Sequence, residues 1–171
     1  SGSADVLEAL GVDITLSPEK VAECIETIGL GFMFAPSLHP AMKYAMGARK
    51  SLAVQTVFNI LGPLCNPAGV KRQVIGVFDG KLTDRMAEVL KLLGAEHAMI
   101  VHGNDGLDEI STTDATKYTE LTPDGVIQSG MLTPSDFGLP VASSESLLGG
   151  EPSRNAEIIH SIFDGEKGSP R

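Results

Sequence analysis

Two carboxylates stand side by side at Asp108 and Glu109, inside the stretch VHGNDGLDEIS, residues 101–111. The short apolar run AMIV feeds into it, a glycine-broken loop carries the acids, and a Ser/Thr pair follows. In an extended segment, adjacent side chains point to opposite faces, so these two cannot form an opposed acid/base pair across one substrate. Three readings remain: a solvated turn, one acid beside a spectator, or a site for a hard cation. Mg²⁺ suits the third, because it often takes one or two carboxylates and draws its other ligands from water and phosphates.

Other segments offer chemistry of their own. SGSAD, residues 1–5, is a small-residue run entering a helix. Its amides, with the Ser1 and Ser3 hydroxyls, suit a phosphate; the plainer reading is capping of the first turn by Ser3 or Asp5. In FNILGPLCNP, residues 58–67, Gly62-Pro63 and Asn66-Pro67 interrupt an apolar run. Helix propensity suffers there, which predicts a specific non-helical backbone. Such a segment either lets a ligand approach the main chain or is an awkward buried connection. Arg49, beside Lys50 near a helix end, either favours the helix dipole or presents a planar fork to a carboxylate. His39 and His102 lack metal-ligand partners at useful spacing and are read as structural.

The elements that must position these residues follow from composition and periodicity. The 171 residues suffice for one domain with a core, and 42% hydrophobic with 20% charged residues is a globular balance. An excess of 22 acidic over 13 basic residues, net charge -9, argues against a general nucleic-acid or membrane surface. Cys24 and Cys65 lack metal spacing and are too few for a secreted disulfide framework, which predicts a reduced, cytoplasmic setting. No apolar run reaches the roughly 18 residues of a membrane span, and no signal peptide is visible. Both ends read as cuts: SGSAD opens at a loop-to-helix junction, and DGEKGSPR stops in a turn.

Helical spacing is present in ADVLEAL, residues 4–10, stopped by Gly11, and in the segment that Ser17, Pro18 and Glu19 start and Gly29 stops. GFMF, residues 31–34, predicts a strand or buried turn, and residues 39–52 a helix beginning near Pro40. RQVIGVF, LTDRMAEVLKLLG and HAMIVHG alternate as strand, helix and strand, a βαβ unit with a parallel pair. That unit puts Asp108 and Glu109 beyond the C-terminal end of its second strand, where ligands of open α/β sheets gather. TKYTELT and GVIQSG predict a hairpin around Pro123-Asp124-Gly125. PSRNAEIIHSIFDG predicts a closing amphipathic helix with Ala156, Ile159, Ile162 and Phe163 on one face.

Taken in order, SGSADVLEALG, FMFAPSLHPAMK, TVFNILGPLCNPAG, QVIGVFDG, AEVLKLLG, HGNDGLDEIS and GGEPSRNAEIIHSIFDGEKGSPR resemble the anthranilate phosphoribosyltransferase family of tryptophan biosynthesis. The resemblance covers essentially the whole chain. It implies an α/β fold with a central, largely parallel sheet flanked by helices, residues 1–171 being part of the larger domain beside a separate helical domain. The implied reaction moves the ribosyl phosphate of phosphoribosyl pyrophosphate to the amino group of anthranilate, with Mg²⁺ present and pyrophosphate released. By the same resemblance, Asp108 and Glu109 bind Mg²⁺, Ser3 contacts the donor, Arg49 holds the anthranilate carboxylate, and Gly62-Pro63 lines the anthranilate path. No residue is implied as a general base, because the aromatic amine is already a nucleophile. The family dimerises through its helical domain, so a homodimer is expected of the full-length protein.

The departures are as specific. The family's pyrophosphate loop, GTGGD, and the basic segments after it would lie upstream of Ser1, and a further helix beyond Arg171. The 171-residue chain alone is therefore expected to be inactive. LAVQT stands where the family more often has LGIRT, so Ala53 and Gln55 depart from the pattern. The alternatives are a pyrimidine nucleoside phosphorylase of the same architecture, a non-catalytic nucleic-acid-binding relative, and a scaffold fragment.

Overall fold

A computed structural model describes residues 2–38 and 58–166. They divide into two compact units, one formed by 2–38 with 145–166 and the other by 58–144.

In the first unit, α1 (Ser3–Ala9) starts after Gly2, whose N–H donates to Asp5 Oδ2 at 3.1 Å. Of the two caps that the sequence offers there, the structure uses Asp5. Ser17 caps α2 (Pro18–Ile28), its Oγ accepting from the Lys20 N–H, and Gly29 ends the helix in a left-handed conformation, φ 78°. GFMF forms no strand. Gly31 lies so close to α2 that a Cβ there would meet Ile25 Cγ1 at 2.8 Å, and the Phe32 and Phe34 rings stack at 6.5 Å. The segment folds back on a helix instead of pairing, and leads into the short α3 (Ala35–Leu38). The helix expected from Pro40, with His39, Arg49, Ala53 and Gln55, lies outside the described residues.

The second unit opens with α4 (Phe58–Leu64), which corrects the non-helical expectation. Pro63 sits in its last turn, where the Cys65 N–H reaches back to the Gly62 carbonyl at 3.1 Å. Ile60 and Leu64, one turn apart, pack on the core, and that packing outweighs poor propensity. The predicted βαβ unit follows as β1 (Arg72–Gly76), α5 (Leu82–Leu92) and β2 (His97–Gly103). Thr83, Met86, Ala87 and Leu90 make one buried stripe of α5, and with Ile75, Val77, Ala98, Ile100 and Leu121 they fill the space over the sheet. Burial of that kind contributes about 1.5–3 kcal/mol for each large apolar side chain.

β3 (Thr116–Leu121) and β4 (Ile127–Leu132) form the predicted hairpin, its turn closed by Gly125 at φ 80°. The order is β1-β2-β3-β4. Only β1 and β2 run parallel, Ile75 opposite Ile100; the other two pairings are antiparallel. The α/β class holds, but the sheet is mixed and not largely parallel among the described residues. A hairpin directly after one βαβ crossover makes it so.

The chain returns to the first unit in α6 (Pro152–Phe163), which packs against α1. Ala156 is buried and Ile159 and Ile162 are half-buried, as expected, whereas Phe163 is 83% exposed. The turn that places Ile162 inward carries its neighbour about 100° round the helix. Among the described residues no helix is long and apolar enough to cross a membrane.

Candidate active site

The acidic pair sits on a loop with an internal framework. β2 leaves the sheet at Gly103, whose N–H donates to the Leu107 carbonyl at 2.7 Å, while the Gly106 N–H returns to the Gly103 carbonyl at 2.9 Å. Gly106 takes φ 94°, a conformation that other residues rarely adopt. Asp105 Oδ1 accepts from the Leu107 N–H at 3.1 Å, and its Oδ2 accepts from the hydroxyls of Ser111 and Thr113. Ser111 is buried; its N–H donates to Thr116 Oγ1 at 2.8 Å, which ties the loop's far end to β3. Burial raises the Asp105 pKa, but the hydroxyls of Ser111 and Thr113 and the Leu107 amide outweigh it and hold the carboxyl below its ordinary value.

Asp108 and Glu109 lie at a bend in this loop and not in an extended run; both are exposed. The Asp108 main chain is packed hard onto the end of β1. A Cβ on Gly76 would overlap the Asp108 carbonyl oxygen and lie 2.7 Å from its carbon. The two carboxylates themselves make no hydrogen bond or ion pair among the described residues. Their backbone is anchored, and their oxygens are free of partners among the described residues.

That donor set fits a hard cation. No group of three or more His, Cys, Asp or Glu side chains among the described residues is arranged to hold a metal. The described residues thus offer no all-protein cage, and two carboxylates suit an ion that completes its shell with water and phosphate oxygens.

The other predicted positions are more dispersed. Gly62 and Pro63 close α4, in the same unit as the acidic loop. Ser3 begins α1 in the other unit, beside a cavity of about 720 Å³ lined by Leu7, Leu148, Asn155 and Ile158 among others. Arg49 lies outside the described residues. His102, read as structural, lies in β2, where its Nδ1 is 2.8 Å from the Val77 carbonyl oxygen.

Two participants escaped the sequence reading, Asp105 and Gly76. The run DGLDEISTT carried a signal for Asp105, since an Asp two residues before an amide commonly bonds it. Gly76 had none, because its neighbour in space is 32 positions away by their residue numbers (108 − 76). A second polar cluster staples α5 to the hairpin. Asp84 accepts from Ser129 Oγ at 2.7 Å, Lys117 Nζ at 3.0 Å and Thr119 Oγ1 at 2.8 Å, which together hold its pKa at about 2.

Residues 1–171 match the family model described as glycosyl transferase family, a/b domain. The chain belongs to that family. Among glycosyl transferase relatives, it is 56% identical over 170 residues to the anthranilate phosphoribosyltransferase of Alkaliphilus metalliredigens, covering 99% of this chain and 50% of that one. The enzyme of the same name from Acetivibrio thermocellus is 55% identical, with 100% of this chain and 49% of that one covered. A crystal structure of anthranilate phosphoribosyltransferase from Thermus thermophilus is similar at TM-score 0.87 and 44% identity, over 99% of this chain and 49% of that one. The Saccharomyces cerevisiae enzyme in complex with PRPP and Mg is similar at TM-score 0.83 and 31% identity, over 92% and 44%. The chain spans about half the length of the curated relatives it matches.

Proposed function

We propose that the protein carrying this chain transfers the phosphoribosyl group of phosphoribosyl pyrophosphate to anthranilate, giving N-(5-phosphoribosyl)anthranilate and pyrophosphate, in tryptophan biosynthesis. Residues 1–171 then supply α/β phosphoribosyltransferase structure to a cytoplasmic homodimer. The observation that carries this reading is the pair Asp108–Glu109, two carboxylates without a partner among the described residues, on an anchored loop at the C-terminal end of a parallel strand pair. Relatives more than half identical and bearing that enzyme's name support it, as does the yeast structure named for its PRPP and Mg.

In this reading Asp108 and Glu109 hold Mg²⁺, which when bound offsets the negative charge gathering on the departing pyrophosphate. Ser3 offers its hydroxyl to the donor. Arg49 receives the anthranilate carboxylate in its planar fork, which fixes where the amine points. Gly62-Pro63 presents main chain and no long side chain beside the anthranilate path. None of these residues moves a proton; the work is orientation and charge.

The test is an assay of the full-length protein with anthranilate, donor and Mg²⁺, following the loss of anthranilate fluorescence and the mass of the product. One anthranilate consumed for each pyrophosphate released is expected. Phosphorolysis of a pyrimidine nucleoside with anthranilate untouched would overturn the reading.

A further inference from the structure

We propose that Asp105 is a positioning residue: without touching the cation, it sets how tightly the Asp108–Glu109 loop binds one. The inference rests on the reading of that pair as metal ligands. Three acids fall within five residues here, and the structure divides their labour. Asp108 and Glu109 have no partner among the described residues, whereas both Asp105 oxygens are engaged, Oδ1 by the Leu107 amide and Oδ2 by the hydroxyls of Ser111 and Thr113. Little of Asp105 is left for a cation.

Its bonds bracket the acidic pair. Leu107 lies just before it and Ser111 just after, with only residues 108–110 between the two ties. Ser111 is in turn fixed to β3 through Thr116, and its Oγ accepts from the Thr113 N–H at 2.9 Å. Gly76 supports the loop from beneath, and Asp105 closes it from both sides. Two adjacent carboxylates repel, so a loose loop would spread them and lose backbone freedom when a cation draws them together. A loop closed beforehand has less to lose.

The test uses the full-length protein and Mn²⁺ alone as the probe, with the free ion counted by electron paramagnetic resonance. Partners that orient metal ligands typically change affinity by about 10- to 100-fold, so Asp105→Ala is expected to weaken Mn²⁺ binding by at least about tenfold. Asp105→Asn keeps a carbonyl for Leu107 and offers an amide to the hydroxyl oxygens, so most of the affinity should return. Amide exchange at Leu107 and Thr113 should quicken in the alanine variant. Ser111→Ala with Thr113→Val removes the two hydroxyl ties while keeping the carboxylate and its Leu107 bond, and should weaken Mn²⁺ binding even if Asp105→Ala fails to fold. Unchanged Mn²⁺ affinity in the alanine or the hydroxyl variant, beside weakened affinity in Asp108→Asn/Glu109→Gln, would overturn the role of Asp105 and leave the metal reading standing. Unchanged affinity in that acidic-pair variant would overturn both.

Discussion

The carbonyl of Asp108 occupies the space where a side chain on Gly76 would begin. The end of β1 and the acidic loop after β2 therefore meet main chain to main chain at this point, and only glycine permits that approach.

Gly76→Ala should displace the loop. The overlap is with backbone, which cannot swing aside as a flexible side chain would. Overpacking of this kind costs about 1–3 kcal/mol. The urea midpoint should fall, and the Mg²⁺ concentration for half-maximal turnover should rise. A wild-type Mg²⁺ requirement would show that the loop's place on β1 is immaterial to the site.

Asp108→Asn with Glu109→Gln should separate activity from folding. Both side chains are exposed and have no partner among the described residues, so the stability change should stay within about 0.5 kcal/mol. Turnover should fall steeply at every Mg²⁺ concentration. Thermal melts beside a Mg²⁺ titration check this, and turnover that survives the substitution would refute the assignment.

Arg49→Ala should raise the KM for anthranilate while leaving that for the donor nearly unchanged. A charge-assisted contact to a carboxylate is worth roughly 1.5–3 kcal/mol, about ten- to a hundredfold in affinity. Were Arg49 only a partner of the helix dipole, the melting temperature would drop and both KM values would hold.

Asp84 gives the fold an acid-sensitive staple. Its pKa lies at about 2, below the ordinary 3.8, so its contribution is full above 3.8 and is lost as pH falls through about 2. The carboxylate is 53% exposed, and solvent screening limits the contribution to about 1 kcal/mol. Asp84→Asn should lower the urea midpoint at about pH 7, and the gap from wild type should narrow towards about pH 2. A constant gap would place the effect in packing, not in charge.

Much of the fold was legible because its signals are local. The buried stripe Thr83, Met86, Ala87 and Leu90 repeats at helical spacing, and Gly29 and Gly125 stand where the chain turns left-handed. What failed was decided by tertiary contact. Gly62 and Pro63 read as helix breakers, yet Ile60 and Leu64 find the core and hold a turn of helix around them. GFMF read as a strand or a buried turn, and Gly31, fitting against Ile25, excludes the strand. In the candidate site, adjacent acids marked the loop from sequence alone. Its framework did not show, because the Asp105–Thr113 tie closes an irregular loop and the Gly76–Asp108 contact joins residues far apart in the chain.

The claim that Asp108 and Glu109 bring in the donor's pyrophosphate through Mg²⁺ is met most directly by calorimetric titration of the full-length protein with phosphoribosyl pyrophosphate. Wild type and the Asp108→Asn/Glu109→Gln variant are each titrated with and without Mg²⁺. Mg²⁺ is expected to tighten donor binding to wild type by at least about tenfold, about 1.4 kcal/mol, and to leave binding to the variant unchanged. An equal gain from Mg²⁺ in both proteins would contradict the claim.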